Sequence, residues 1–197
     1  MVKIIAEIGW NHMGDMELAK KIESFNILKK VSFVLIGTLL LTISAKIKVP
    51  FYPVPMTMQT FVVVLIGITL GWKLGLATVL TYLFEGAIGL PVFAGTPEKG
   101  IGISYMMGPT GGYLIGFVFS VFIAGFVNLN KNIFIKFLFI SLSIFIIYFT
   151  GVPWLAHLAG WEIAYVWGIK NFVLAEIFKI LILTLSVEKL LKFRNFI

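Results

Sequence analysis

The sequence predicts an all-α integral membrane protein, a bundle of six transmembrane helices with both termini on the cytoplasmic side. Three observations predict it. The first is composition: of 197 residues, 59% are hydrophobic and only 13% charged, where a soluble domain carries roughly 45–50% apolar and about 25% charged residues. No soluble core of this size hides that excess, so lipid is its natural solvent. The second is a set of six apolar stretches, each long enough, or nearly so, for the ~20 helical residues that cross a ~30 Å hydrocarbon core. The third is an unequal division of lysine and arginine between the two ends of those stretches.

The stretches fall at residues 31–47, 57–72, 74–92, 110–129, 133–150 and 171–191. The first is not followed by a small-residue cleavage site and reads as a retained helix. Gly37, Gly67, Gly86, Gly116 and Gly125 lie within the spans, where small residues let membrane helices approach closely. The connections alternate in character. Lys73 marks a very short turn and residues 128–132 another, whereas 49–56, 93–109 and 151–170 are longer and rich in proline, glycine and aromatics. Trp154, Trp161 and Trp167 in the last of these suit a membrane–water interface. With an even number of helices the termini share a side. That side holds Lys3, Lys20, Lys21, Lys29, Lys30, Lys73, Lys131, Lys136, Lys189, Lys192 and Arg194, eleven in all, against Lys46, Lys48, Lys99 and Lys170, four, on the other. Basic residues are retained in the cytoplasm, so the three long connections are expected to face outward, in a multi-pass protein of the plasma membrane.

Composition also excludes chemistry. The chain has no cysteine, hence no disulfide, thiolate metal site or iron–sulfur cluster. His12 and His157 stand far apart and make a poor metal site, and no cofactor is expected. The formal charge of +7 does not point to nucleic acid, because most basic residues flank apolar spans; the lipid bilayer is the partner they imply.

Ionisable groups inside spans are expensive and usually functional. Two places stand out: Glu85 in the third span, and Glu176 with Lys179 in the sixth. Glu176 and Lys179 are three residues apart and share a helix face. Lys179 lies eight residues into its span, ~12 Å at 1.5 Å per residue, and Glu85 near the outer end of its own, so both sites fall in the outer half. A neutralising pair that merely permits insertion is the bland reading. The functional reading is a solute site in which Lys179 meets a carboxylate, Glu176 holds the ammonium or accepts an N–H, and Glu85 accepts N–H donors. Pro50, Pro53 and Pro55 make the first outer connection stiff and extended, suited to a lid. Residues 108–113, Gly-Pro-Thr-Gly-Gly-Tyr, open the fourth span, with proline suited to a first helical position. A membrane enzyme using Glu85 and Glu176 as acid and base is a competing class, as is a purely structural membrane protein. The first lacks support from any cysteine, histidine cluster or serine–histidine pattern, and the second leaves the intramembrane charges unexplained.

At the same residues the sequence resembles the BioY family, the biotin-binding S component of energy-coupling factor (ECF) transporters. The resemblance rests on Val54-Pro-Met-Thr-Met-Gln-Thr60, on Tyr82-Leu-Phe-Glu-Gly-Ala-Ile-Gly-Leu-Pro-Val-Phe-Ala94, on Gly108-Pro-Thr-Gly-Gly-Tyr-Leu-Ile-Gly116 and on Gly151-Val-Pro-Trp-Leu155. It covers roughly residues 30–190. It implies high-affinity capture of biotin from outside the cell without chemistry, and partnership with a transmembrane coupling subunit and a pair of cytoplasmic ATPases. The chain itself has no Gly-x-x-x-x-Gly-Lys-[Ser/Thr] phosphate loop. An S component for another small vitamin is the alternative within the class. For biotin, Lys179 can supply a cation to the valerate. Glu85, Gln59 and Thr60 complement the ureido group, with Glu176 beside Lys179, and Phe93, Trp154 or Tyr113 suit the apolar thioether ring and chain. Two departures stand out. The family's Gly-Asp-x-x-Lys run is here Ala175-Glu-Ile-Phe-Lys179. On the first helix the small-residue face that the family uses for docking reads Gly37, Leu41, Ala45, with Leu41 bulky.

Residues 1–22 resemble instead the opening of sialic acid synthases, a first barrel strand and the start of its helix. No (β/α)₈ barrel of about 250 residues follows, so Glu7, Asn11 and His12 have no site to join. The expected division is a non-functional tail over 1–24 and a transmembrane substrate-binding domain over 25–197.

Overall fold

The computed structural model describes residues 27–49 and 56–196. The tail over residues 1–24 and the segment carrying Pro50, Pro53 and Pro55 lie outside the described residues. The elements run in the order α1 (Ile27–Lys46), β1 (Lys48–Val49), β2 (Met56–Thr57), α2 (Gln59–Ala87), α3 (Gly102–Met106), α4 (Gly111–Ala124), α5 (Ile133–Ala159), α6 (Trp161–Tyr165), a wide π-type turn (Val166–Lys170) and α7 (Val173–Phe196). The two short strands pair antiparallel, Lys48 with Thr57 and Val49 with Met56. Among the described residues three helices, α1, α2 and α5, are long and apolar enough to cross a membrane, and α4 is a shorter apolar helix. In hydrocarbon every backbone group must be satisfied within its own segment, and the helix does that.

The 29-residue α2 is two helical arms. Gly71 breaks it at φ 74°, ψ 173°, a region open essentially to glycine alone. The arms fold back on each other: the Gln59 side-chain amide donates to the Tyr82 hydroxyl at 2.7 Å, and a Cβ on Gly75 would stand 3.4 Å from the Gly67 Cα. The turn expected at Lys73 therefore lies two residues earlier, where the backbone requires a glycine.

Two further boundaries differ from expectation. The second arm of α2 ends at Ala87 rather than near Val92, and residues 88–101 form turns. The fifth span does not stop at Thr150: α5 runs through Pro153 to Ala159, and α6 and the π-type turn follow at once, so 151–170 is largely helical. Proline removes one donor and disturbs one turn, a defect that a packed membrane helix tolerates.

Two apolar cores form along the bundle. One gathers Val63, Tyr82, Phe93, Tyr113, Phe117, Ile147 and Leu155. The other gathers Val64, Ile68, Ala124, Ile140, Leu183 and Val187. In lipid this packing acts through close contact rather than water exclusion. A Cβ on Gly67 would meet the Ala124 Cβ at 2.6 Å, and one on Gly125 would collide with the Trp72 backbone. Outward faces carry Phe84, Phe134, Phe145, Leu174 and Leu185, all exposed, as lipid contact requires. On α1, Leu41 and Ala45 are fully buried and Gly37 lies against Thr78. The face carrying Gly37, Leu41 and Ala45 is thus turned into the protein and is not open to a docking partner.

The end away from β1 and β2 is tied by charge. Arg194 of α7 donates to the Gly125 and Val127 carbonyls at 2.9 and 3.1 Å. Lys136 of α5, only 3% exposed, reaches Glu188 of α7 at 3.4 Å.

Candidate functional site

At the opposite end, β2, the first arm of α2, residues 93–94, α3, α4, α5 and α7 surround a pocket. Its lining includes Met56, Thr57, Gln59, Thr60, Phe93, Tyr105, Tyr113, Phe117, Tyr148, Phe172 and Glu176. Small-molecule pockets are mostly apolar, with a few convergent polar groups.

Those polar groups converge on α7. Glu176 and Lys179, both under 10% exposed, pair at 2.8 Å. Thr60 donates to the Glu176 carboxylate at 3.0 Å, and the Tyr148 hydroxyl donates to Glu176 Oε1 at 2.9 Å. Lys179 also donates to the Thr57 carbonyl at 2.8 Å and to Thr60 Oγ1 at 2.9 Å. An ammonium has three N–H donors, and here Glu176, Thr57 and Thr60 take all three. Lys179 stands behind the pocket wall, whereas Glu176 lines it. The pair is built locally: residues 176 and 179 lie one turn apart on α7, and α7 packs against the first arm of α2 that carries Thr60.

The walls are aromatic. Phe93 stacks on Tyr105 at 5.0 Å and meets Tyr82 edge-on at 5.4 Å. Gly86 makes room for it; a Cβ there would overlap the Phe93 ring. Tyr105 donates to the Ala94 carbonyl at 2.6 Å. Burial raises its phenol above the ordinary tyrosine value, with a smaller opposing contribution from Thr110, so it remains a neutral donor. Tyr113 donates to the Gly168 carbonyl at 3.1 Å and packs edge-on to Tyr148 at 5.8 Å.

The structure brings together Gln59, Thr60, Phe93, Tyr113, Glu176 and, from behind, Lys179. It does not bring Glu85 or Trp154 into the pocket lining. Tyr82 and Gly86 take the inward face of their arm, which leaves Glu85 half-buried on its flank. Trp154 donates to the Gly108 carbonyl at 2.9 Å and faces a separate apolar groove beside Met106 and Met107. Tyr105 and Tyr148, which the sequence does not single out, are added polar groups; the only signal of Tyr148 there is a lone hydroxyl amid Ile144-Phe-Ile-Ile-Tyr148-Phe.

Fold and pocket define the class: a helical membrane protein with a polar-floored, aromatic-walled pocket between its helices. The chain belongs to the BioY family, whose model matches residues 16–196. It is 38% identical over 162 residues to a probable biotin transporter BioY of Pyrococcus horikoshii, covering 82% of this chain and 96% of the relative. It is 43% identical over 118 residues to the biotin transporter BioY of Thermotoga maritima, covering 59% and 68%. The crystal structure of the S-component for biotin from an ECF-type ABC transporter superposes with TM-score 0.73 at 25% identity, covering 85% of this chain and 93% of that one.

Proposed function

We propose that this protein captures biotin from outside the cell, as the substrate-specific subunit of an ECF-type vitamin uptake transporter in the plasma membrane. The observation that carries the reading is the buried polar floor of an otherwise aromatic pocket, in a chain of the BioY family. Counting the two arms of α2 separately, with α1, α4, α5 and α7, gives six spans, with both termini cytoplasmic by the distribution of basic residues. ATP hydrolysis then belongs to a cytoplasmic ATPase pair, reached through a membrane coupling subunit.

Biotin offers two ureido N–H donors, one carbonyl, an apolar bicycle and a valerate anion. Glu176, an acceptor in the lining, suits a ureido N–H, and the Gln59 amide suits the remaining ureido groups. Lys179 pairs with Glu176 and holds it in place, and Thr60 and Tyr148 fix its oxygens. Phe93, Tyr105 and Tyr113 pack the bicycle. In this arrangement the floor reads the ureido group and the valerate points toward the mouth. Glu176 lines the pocket and Glu85 does not, which gives the acid–base enzyme no paired carboxylates.

Native mass spectrometry of detergent-purified protein tests the ligand: a co-purified species of biotin mass is expected, and another vitamin's mass would overturn the reading. Affinity should be nanomolar, about −12 kcal/mol. Analogues test the orientation. An N-methylated ureido analogue should lose more affinity than biotin amide; the reverse order would assign Lys179 to the carboxylate.

A further inference from the structure

We propose that Lys46, at the pocket end of α1, is a positioning residue that fastens the Phe93 wall and so sets how slowly the captured solute leaves. The proposal rests on the reading of this pocket as the biotin site. Phe93 is fully buried and lines the pocket, but it sits on an irregular segment, residues 92–96, with no helix to take up its backbone groups. Each carbonyl of that segment accepts a hydrogen bond. Val92 O takes the Tyr82 hydroxyl at 3.1 Å, Ala94 O the Tyr105 hydroxyl at 2.6 Å, and Gly95 O the Lys99 amide at 2.9 Å. Phe93 O takes the Thr96 hydroxyl at 2.7 Å. All of those donors lie within residues 82–105.

Lys46 adds a tie from a different helix. Its ammonium donates to Phe93 O at 3.0 Å, to Thr96 O at 3.1 Å and to Thr96 Oγ1 at 3.1 Å. Charge-assisted bonds of this kind are roughly twice as strong as neutral ones. Two residues further on, β1 pairs with Met56–Thr57. Met56 and Thr57 line another wall, and Thr57 O accepts from Lys179. One end of α1 is therefore fastened to two walls of the pocket, while Leu35, Leu39 and Ile43 along the same helix are exposed. If α1 shifts, both walls shift with it.

The test uses detergent-purified full-length protein with radiolabelled biotin. Two readouts are taken: biotin dissociation, and hydrogen exchange of the ligand-free protein at the amides of residues 92–96. Lys46→Met should release biotin roughly tenfold faster, the scale of one charge-assisted hydrogen bond, and should raise exchange at residues 92–96 while α4 and α5 stay protected. Thr96→Val should shift both readouts in the same direction by less. Unchanged release with unchanged exchange in Lys46→Met would overturn the proposal. Protection lost throughout α4 and α5 marks a general failure to fold rather than a local loosening. If Lys46→Met cannot be recovered folded, Thr96→Val decides by the same readouts. Wild-type protein that retains no biotin would refute the functional reading instead, and the exchange comparison would still decide whether Lys46 orders this wall.

Discussion

Glu176 receives three side-chain donors, from Thr60, Tyr148 and Lys179, and its worth lies in that arrangement. A buried ion pair adds little net stability, but removing one partner leaves an uncompensated charge at a cost of about 3–5 kcal/mol. Lys179→Ala should therefore weaken biotin binding at least about tenfold while the protein remains folded in detergent, as equilibrium binding and size-exclusion chromatography would report. Tyr148→Phe removes one donor from the carboxylate and should weaken binding by roughly fivefold to tenfold. Glu85→Gln should change affinity far less than Glu176→Gln, read in the same assay; an equal loss would return Glu85 to the site. Charges in an apolar run announce themselves, so Glu176 and Lys179 are legible in the sequence alone. Their division of labour is not, because it depends on Thr57 and Thr60, over a hundred residues away along the chain. Tyr148 is illegible for another reason: a tyrosine in a membrane span is an ordinary amphipathic residue until its hydroxyl has a partner.

Among the elements, composition locates the apolar helices well and their ends poorly. Apolar residues cover nearly all faces of α2, so periodicity cannot say where it turns. Lysine looks like the turn because it is polar, yet the geometry selects glycine at position 71. Gly71→Ala should cost about 1–3 kcal/mol, seen as a lower midpoint in thermal unfolding monitored in detergent. The Arg194 guanidinium packs against the same glycine, which leaves little room for a methyl group. Pro153 misleads in the opposite direction. Proline ends helices in water, where a broken turn has no neighbours to support it; here α5 continues past it, packed against α4.

For the whole molecule, the alternation of short and long connections anticipates the arrangement seen: Gly71, residues 125–132 and Arg194 gather at one end, and the pocket opens among the longer connections at the other. The absence of native cysteine makes the topology easy to test. A single cysteine at position 99 or 162 should react with an impermeant maleimide in intact cells, and one at 131 or 192 should react only after the membrane is opened. Deleting residues 1–24 should leave biotin affinity unchanged; a large loss at normal expression would give the tail a role. One consequence concerns synthesis. Thr60 emerges 116 residues ahead of the carboxylate it serves, so the pocket floor stays incomplete until the final described helix arrives. That helix carries its own counter-ion one turn from its acid, so Glu176 and Lys179 can enter the bilayer as a neutral pair before finding their neighbours.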